Sequence, residues 1–453
     1  MRQFPLQVFL SEEHGGMGAN TGECLAMLEA SSYESLPLSL MMGINGALFI
    51  QPVTRYADKS EARNIFKRFA AEQAMGGLMI TEPDYGSDAL HMQSRFTGTE
   101  SGYHVKGLKH WAGLTGWADY WILTAREQKK DGSLARDIDF FIHDSRNSGV
   151  EVEEYFNNLG LYMLPYGRNR IDAYIPESHR LIKPSTGIKL LLDMLHRSRL
   201  QFPGMASGFL KRILDDAMVH VTSRHVGGRA LFQYDQVRER IQRMQAWVTS
   251  CSAMCAFTSV QAPIDRDLSA MDVAANAIKS VVTDMMQEAS QSFLQLSGAV
   301  GYRLDHMAGR AVVDSRPFQI FEGSNDILYQ QITESIVKRM KKEKAASLYA
   351  FLEEYELTAK ASGYLRSVTD FALSPALSQR KQVALGKMLG LTVVLNLVIE
   401  LGEKGFQSQL IQNTIGTLTS DINKILNYVH ESADINPVDL KDDATDWFGI
   451  LTR

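Results

Sequence analysis

Apolar residues recur at three- and four-residue steps over most of the chain and give way, in one central stretch, to short aromatic and β-branched runs. From about Gly22 to Ala74 the pattern is helical, with Gln51-Pro52 predicting a break near its middle. Around Gly76 the texture changes. Ser94–Thr99, Tyr103–Lys106, Tyr120–Ala125 and Ile138–Ile142 predict strands, and Ser101-Gly102 predicts a hairpin between the first two. Residues 76–185 therefore form an antiparallel β domain between helical regions. After Gly187 the helical period returns, and Ala274, Ala277, Val281, Met285 and Ala289 form one apolar stripe suited to a bundle. Leu348, Phe351, Leu352 and Tyr355, then Val383–Leu401 and Leu410–Val429, extend the pattern, separated by Ser374-Pro375 and Glu403-Lys404-Gly405. The predicted organisation is a helical domain (1–75), a β domain (76–185), a helical bundle (186–340) and a helical appendage (341–453).

One carboxylate breaks this patterning. In Gln319-Ile320-Phe321-Glu322-Gly323-Ser324-Asn325-Asp326-Ile327, Glu322 follows apolar residues that would desolvate it and raise its pKa, and Gly323 permits a close backbone approach. Those are the needs of a general base. The segment alone leaves a solvent-facing turn acid equally open.

Composition narrows the classes. At 453 residues and 45% hydrophobic content the chain supports several cores, and its net charge of −5 carries no basic field for nucleic acid. Cys24, Cys251 and Cys255 fit a reducing compartment; the last two, four apart without nearby His, read as helix-packed thiols, so no metal is expected. Met1–Leu10 lacks signal-peptide features and Leu389–Ile399 is too short an apolar run for a bilayer, so no membrane span and a cytoplasmic location are expected. Gly15-Gly16-Met17-Gly18 lacks dinucleotide-loop spacing, no phosphate loop occurs, and Ser87 lacks the second glycine of a nucleophile elbow. His196, Arg197 and Arg199, and Arg224 with His225, read as solvated helix faces or anion contacts.

Ile80-Thr81-Glu82-Pro83-Asp84-Tyr85-Gly86-Ser87-Asp88 resembles the Thr-Glu-Pro-x-x-Gly-Ser-Asp signature of the acyl-CoA dehydrogenase family. Collinear with it come Gly107-Leu108-Lys109-His110-Trp111, then Arg199, Gly208 and Arg224, then Gln295-Leu296-Ser297-Gly298-Ala299, and finally Phe321-Glu322-Gly323-Ser324. The resemblance covers roughly Phe4 to Arg339. It implies a helical domain, a central β barrel or sandwich, and a four-helix bundle, with FAD extended between them and across a dimer interface.

Carried over by position, the resemblance puts Thr81, Ser87, Trp111, Gly113, Arg224, Gln295, Ala299, Ser324 and Asp326 at FAD. Ser87, Arg199, Phe321 and Gly323 fall at the substrate, and Glu322 is the base. The implied reaction converts an acyl-CoA, or an acyl group on a carrier protein, to its trans-2-enoyl thioester. Glu322 takes the α-proton and FAD the β-hydride. An electron-transfer flavoprotein is the implied partner and a homodimer or homotetramer the implied state. Some relatives place the base near Ser198, where this chain has no carboxylate. Three departures qualify the match. Gly113 stands where a threonine hydroxyl is usual, Val226-Gly227-Gly228 replaces the aromatic after the diphosphate arginine, and only 80 residues precede Thr81. These keep two other functions in view: a flavin oxidase or monooxygenase, and a non-catalytic acyl- or flavin-binding scaffold.

Overall fold

The computed structural model of the protein describes residues 4–374, 377–430 and 437, so Pro375 and the end of the appendage lie outside the described residues. The first helices are α1 (Thr21–Glu34), α2 (Leu36–Asn45), α3 (Gln51–Tyr56) and α4 (Lys59–Glu72). Asn20, Ser35 and Asp58 cap α1, α2 and α4 by accepting backbone N–H bonds with their side chains. The break expected at Gln51-Pro52 is absent. A π-helical turn, Gly46–Ile50, joins α2 to α3, and its wider spacing absorbs the N–H that Pro52 lacks.

Among the described residues seven strands form the sheet: β1 (Gly76–Met79), β2 (Arg95–Thr99), β3 (Gly102–Gly113), β4 (Tyr120–Gln128), β5 (Leu134–Asp144), β6 (Val150–Tyr155) and β7 (Tyr166–Pro176). Thr99 pairs with Gly102 in the expected hairpin. The sheet is mixed rather than antiparallel, because β1 and the start of β2 both run parallel to β4. Chain thus leaves the β4 edge after Met79 and rejoins it at Arg95. The Thr81–Asp88 signature is the excursion between. At its base lies a buried ion pair: Lys109 Nζ to Glu82 Oε1 is 2.9 Å. Lys109 also donates to the Ile80 carbonyl and the Thr124 hydroxyl, and Glu82 accepts the N–H groups of Gln93 and Ser94. The pair supplies the hydrogen bonds that the interrupted ladder lacks.

Helix α5 (Gly187–Ser223), capped by Thr186, is the axis of the bundle; α6 (Asp235–Gln261), α7 (Asp272–Ser297), α8 (Met307–Ser315) and α9 (Asn325–Glu343) complete it. Its middle is buried on every side, so the expectation of a solvated face at His196 and Arg197 fails. His196 Nδ1 bonds the Leu268 carbonyl at 2.8 Å, and Arg197 pairs with buried Asp193 and two carbonyls. Helix α1 crosses α5 at Gly208, where a Cβ would lie 1.9 Å from the Glu29 carbonyl oxygen. Gly208→Ala is therefore expected to destabilise the protein by about 3 kcal/mol, read as a lowered denaturation midpoint.

The appendage comprises the short helices α10 (Leu348–Glu354), α11 (Ala359–Ser362) and α12 (Arg366–Thr369) and the longer α13 (Gln379–Glu403) and α14 (Ser408–His430). Helix α13 packs on α6, α7 and α9, and α14 on α6, so the appendage covers a face of the bundle. Gly386 allows the approach: a Cβ there would meet the Tyr329 carbonyl at 1.8 Å. Lys387 of α13 reaches Asp284 of α7 at 2.8 Å. Both Leu36–Tyr56 and Gln379–Glu403 are long and apolar enough to cross a bilayer, contrary to the shorter run expected at Leu389–Ile399. Both are mostly buried against neighbouring elements.

Candidate active site

Glu322 sits in the turn between α8 and α9 with φ 56°, followed by Gly323 at φ 94°. The left-handed conformation is costly for a residue with a Cβ. Buried cations hold it. Arg199 donates twice to the Glu322 carbonyl, Nε at 3.0 Å and Nη2 at 2.6 Å, and bonds Asn276 through Nη1 at 2.8 Å. Lys279 Nζ donates to the Gly323 carbonyl at 2.8 Å and to Asn325 Oδ1 at 3.0 Å. The Glu322 N–H finds no acceptor among the described residues.

The Glu322 side chain accepts a bond from Ser198 Oγ to Oε1 at 2.6 Å, while buried Oε2 has no partner among the described residues. Burial raises its pKa, opposed by the Ser198 hydrogen bond and by the charges of Arg199 and Lys279. Burial wins, so the carboxyl titrates above the ordinary range.

Glu322 opens on a cavity of about 780 Å³ between the β domain and the bundle. Leu40, Ile44 and Leu48, from α2 and its π turn, line one wall. On the β side, the β3–β7 register shifts between His110 and Ala112, making Trp111 a bulge residue at φ 56°. Bulges re-aim side chains, and this indole is 57% exposed, propped by Phe156 at a centroid distance of 4.5 Å. Gly113 is closely packed: a Cβ there would stand 2.7 Å from Ile44 Cδ1 and 3.4 Å from Tyr166 Cε1. Tyr166 lines the same cavity, its phenol pKa raised by burial and by the charge of Glu322.

Thr81, Ser87, Trp111, Gly113, Arg199, Phe321 and Gly323 thus share one cavity with Glu322. Arg199 is committed to the Glu322 carbonyl and Asn276, so its role there is to hold the turn. Ser324 and exposed Asp326 follow at the start of α9. Arg224, Gln295 and Ala299 are exposed and do not line the cavity. Arg224 lies about 37 Å along α5 from Arg199, at 1.5 Å per residue. Sequence reasoning missed Tyr166 and Lys279. Lys279 carried the same signal as Glu322, a charge inside the apolar run Ala277-Ile278-Lys279-Ser280-Val281.

Comparison with known proteins gives a consistent picture. Residues 77–173 match the family described as acyl-CoA dehydrogenase, middle domain, and residues 185–337 match acyl-CoA dehydrogenase, C-terminal domain. The very long-chain specific acyl-CoA dehydrogenase of Rattus norvegicus is 24% identical over 331 residues, 72% of this chain. The chain spans 50% of that relative's length. An acyl-CoA dehydrogenase of Bacillus anthracis, solved in complex with FAD, matches with a TM-score of 0.77 at 16% identity, over 94% of this chain and 80% of that one. That alignment reaches into the appendage. The prolyl acyl carrier protein oxidase AnaB matches with a TM-score of 0.67 at 15% identity, over 73% and 88% of the two chains.

Proposed function

We propose, since this chain belongs to the acyl-CoA dehydrogenase family, that it is an FAD-dependent oxidoreductase that dehydrogenates an acyl thioester between its α and β carbons, with Glu322 as the base. The observation that carries this reading is that Glu322, which lines the cavity, has a buried Oε2 and a backbone N–H that are both without a partner among the described residues. Removal of a weakly acidic α-proton needs that combination: a base of raised pKa and a donor for the oxygen on which charge develops.

The residues present fit a flavin. Trp111 offers an exposed indole beside the cavity, fixed by its bulge and by Phe156, and a planar ring system suits such a face. Thr81, Ser87, Trp111 and Gly113 would hold it at the β domain, with Ser324 and Asp326 at the head of α9. Arg224, Gln295 and Ala299, remote from the cavity, would reach the FAD of a second subunit. Bound FAD supplies the acceptor for the β-hydride.

In the reaction, Ser198 fixes the Glu322 carboxylate through Oε1 and leaves Oε2 toward the α-carbon. Glu322 Oε2 takes the α-proton while the Glu322 N–H donates to the thioester carbonyl. Phe321, Leu195 and Leu328 keep water from the carboxylate. The product is a trans-2-enoyl thioester on coenzyme A or a carrier protein, and an electron-transfer flavoprotein is the proposed downstream acceptor.

Purified protein is expected to be yellow, and acyl-CoAs of graded length are expected to bleach it anaerobically. Colourless protein that takes up no FAD would leave a scaffold. Bleaching that is reversed by oxygen, with peroxide release on every turnover, would make it an oxidase.

A further inference from the structure

Lys279 has no exposed surface, yet none of the chemistry above uses its ammonium. It lies in the middle of α7, where nearly every neighbouring position is apolar or small. Burying a lysine there is costly unless its hydrogen bonds are met. Two are met by the turn carrying Glu322: the Gly323 carbonyl and the Asn325 side chain. One peptide earlier, Arg199 takes the Glu322 carbonyl with two donors. Two successive carbonyls are therefore drawn into the bundle by two cations. With both fixed, Glu322 keeps its left-handed φ, and its own N–H has no acceptor among the described residues. An unclamped turn would relax toward right-handed φ and reorient that N–H.

We propose that Lys279 is a positioning residue for this reaction, gripping the Gly323 carbonyl while Arg199 grips that of Glu322, so that the Glu322 N–H and carboxylate face the thioester together. The inference rests on the dehydrogenase reading above. It assigns Lys279 a second effect through its charge. The groups facing it are Glu322 and Asn325 of the turn and α9, Arg199 of α5, and Asp284 of its own helix, itself paired with Lys387. Burial pulls the Lys279 pKa down to about 7, opposed by Glu322 and Asp284 and assisted by Arg199. The protonated ammonium in turn lowers the proton affinity of Glu322 against its own burial.

The test uses Lys279→Met and Lys279→Gln in the full-length flavoprotein, with anaerobic bleaching by an acyl-CoA that the wild type oxidises. If no acyl-CoA bleaches the wild type, the dehydrogenase reading fails before Lys279 is tested. The Met variant, folded by its melting curve and still yellow, is expected to bleach about 10²-fold more slowly, the scale of losing one aligned oxyanion donor. The Gln variant restores an N–H donor to Gly323 without charge. It is expected to recover most of the rate, with the acid limb of its pH profile moved up by about one unit. A folded Met variant within about twofold of wild type overturns the proposal. So does a Gln variant as slow as Met, or one whose pH profile is unmoved. Should the Met variant fail to fold, the Gln variant decides alone.

Discussion

Glu322→Gln is expected to leave a folded, yellow protein that acyl-CoAs no longer bleach, with at least about a 10²-fold and up to a 10⁴-fold loss in rate. Glutamine keeps the length of the side chain and can still accept from Ser198 Oγ through its amide oxygen. The backbone clamp on the Glu322 carbonyl is untouched, so the turn is expected to keep its conformation. Only the proton acceptor is gone. Stopped-flow bleaching separates this from a binding defect, because the variant should still bind an acyl-CoA and perturb the visible spectrum. Full activity would refute the assignment of the base. The wild type should show the matching pH dependence. The carboxyl must be ionised to act and burial raises its pKa, so bleaching is expected to be slow in acid and to rise with pH at values above the ordinary carboxylate range.

Lys109→Met is expected to cost about 3–5 kcal/mol of folding stability, measured by chemical denaturation, because it strands the Glu82 carboxylate without its partner. Both residues are buried, and burial lowers the Lys109 pKa to about 8 despite the opposing charge of Glu82. Removing Lys109 leaves a buried carboxylate with only the Gln93 and Ser94 N–H groups to hold its charge. The effect should also be felt at the cavity. Glu82 and Lys109 anchor the base of the excursion that carries Thr81 and Ser87, so the surviving folded fraction is expected to bind FAD more weakly. A loss below about 1 kcal/mol would place this pair with ion pairs that contribute little.

The helices were legible because their apolar stripes have a local cause, and Glu322 because a charge inside an apolar run stands out. Strand β6 was not. Its sequence, Val150-Glu151-Val152-Glu153-Glu154-Tyr155, is mostly exposed, and its pairing with β7 is supported by salt bridges from Arg168 and Arg170 to Glu153 and Glu154. An edge held that way has no apolar signature. The parallel pairing of β1 with β4 was equally hidden, since it depends on partners more than forty residues apart. His196 and Arg197 looked like surface residues because their partners, carbonyls at Pro263, Arg266 and Leu268, are remote backbone that carries no side-chain signal. Tyr166 escaped for a related reason. Its place in the cavity follows from the register that sets it opposite Gly113.

The pairing of Lys387 with Asp284 has a reach beyond joining two helices. Asp284 also accepts from Asn325 at 2.7 Å, Gln319 at 2.7 Å and Tyr329 at 3.0 Å, and Asn325 in turn holds Lys279. Helix α13 is therefore in series with the glutamate turn. A protease cut after Glu343, or any opening that frees α13, would release a charge that Asp284 relies on and loosen the anchor of the turn some residues away. Helix α13 and the Glu322 turn share one hydrogen-bonded network, and the two are expected to open together rather than separately.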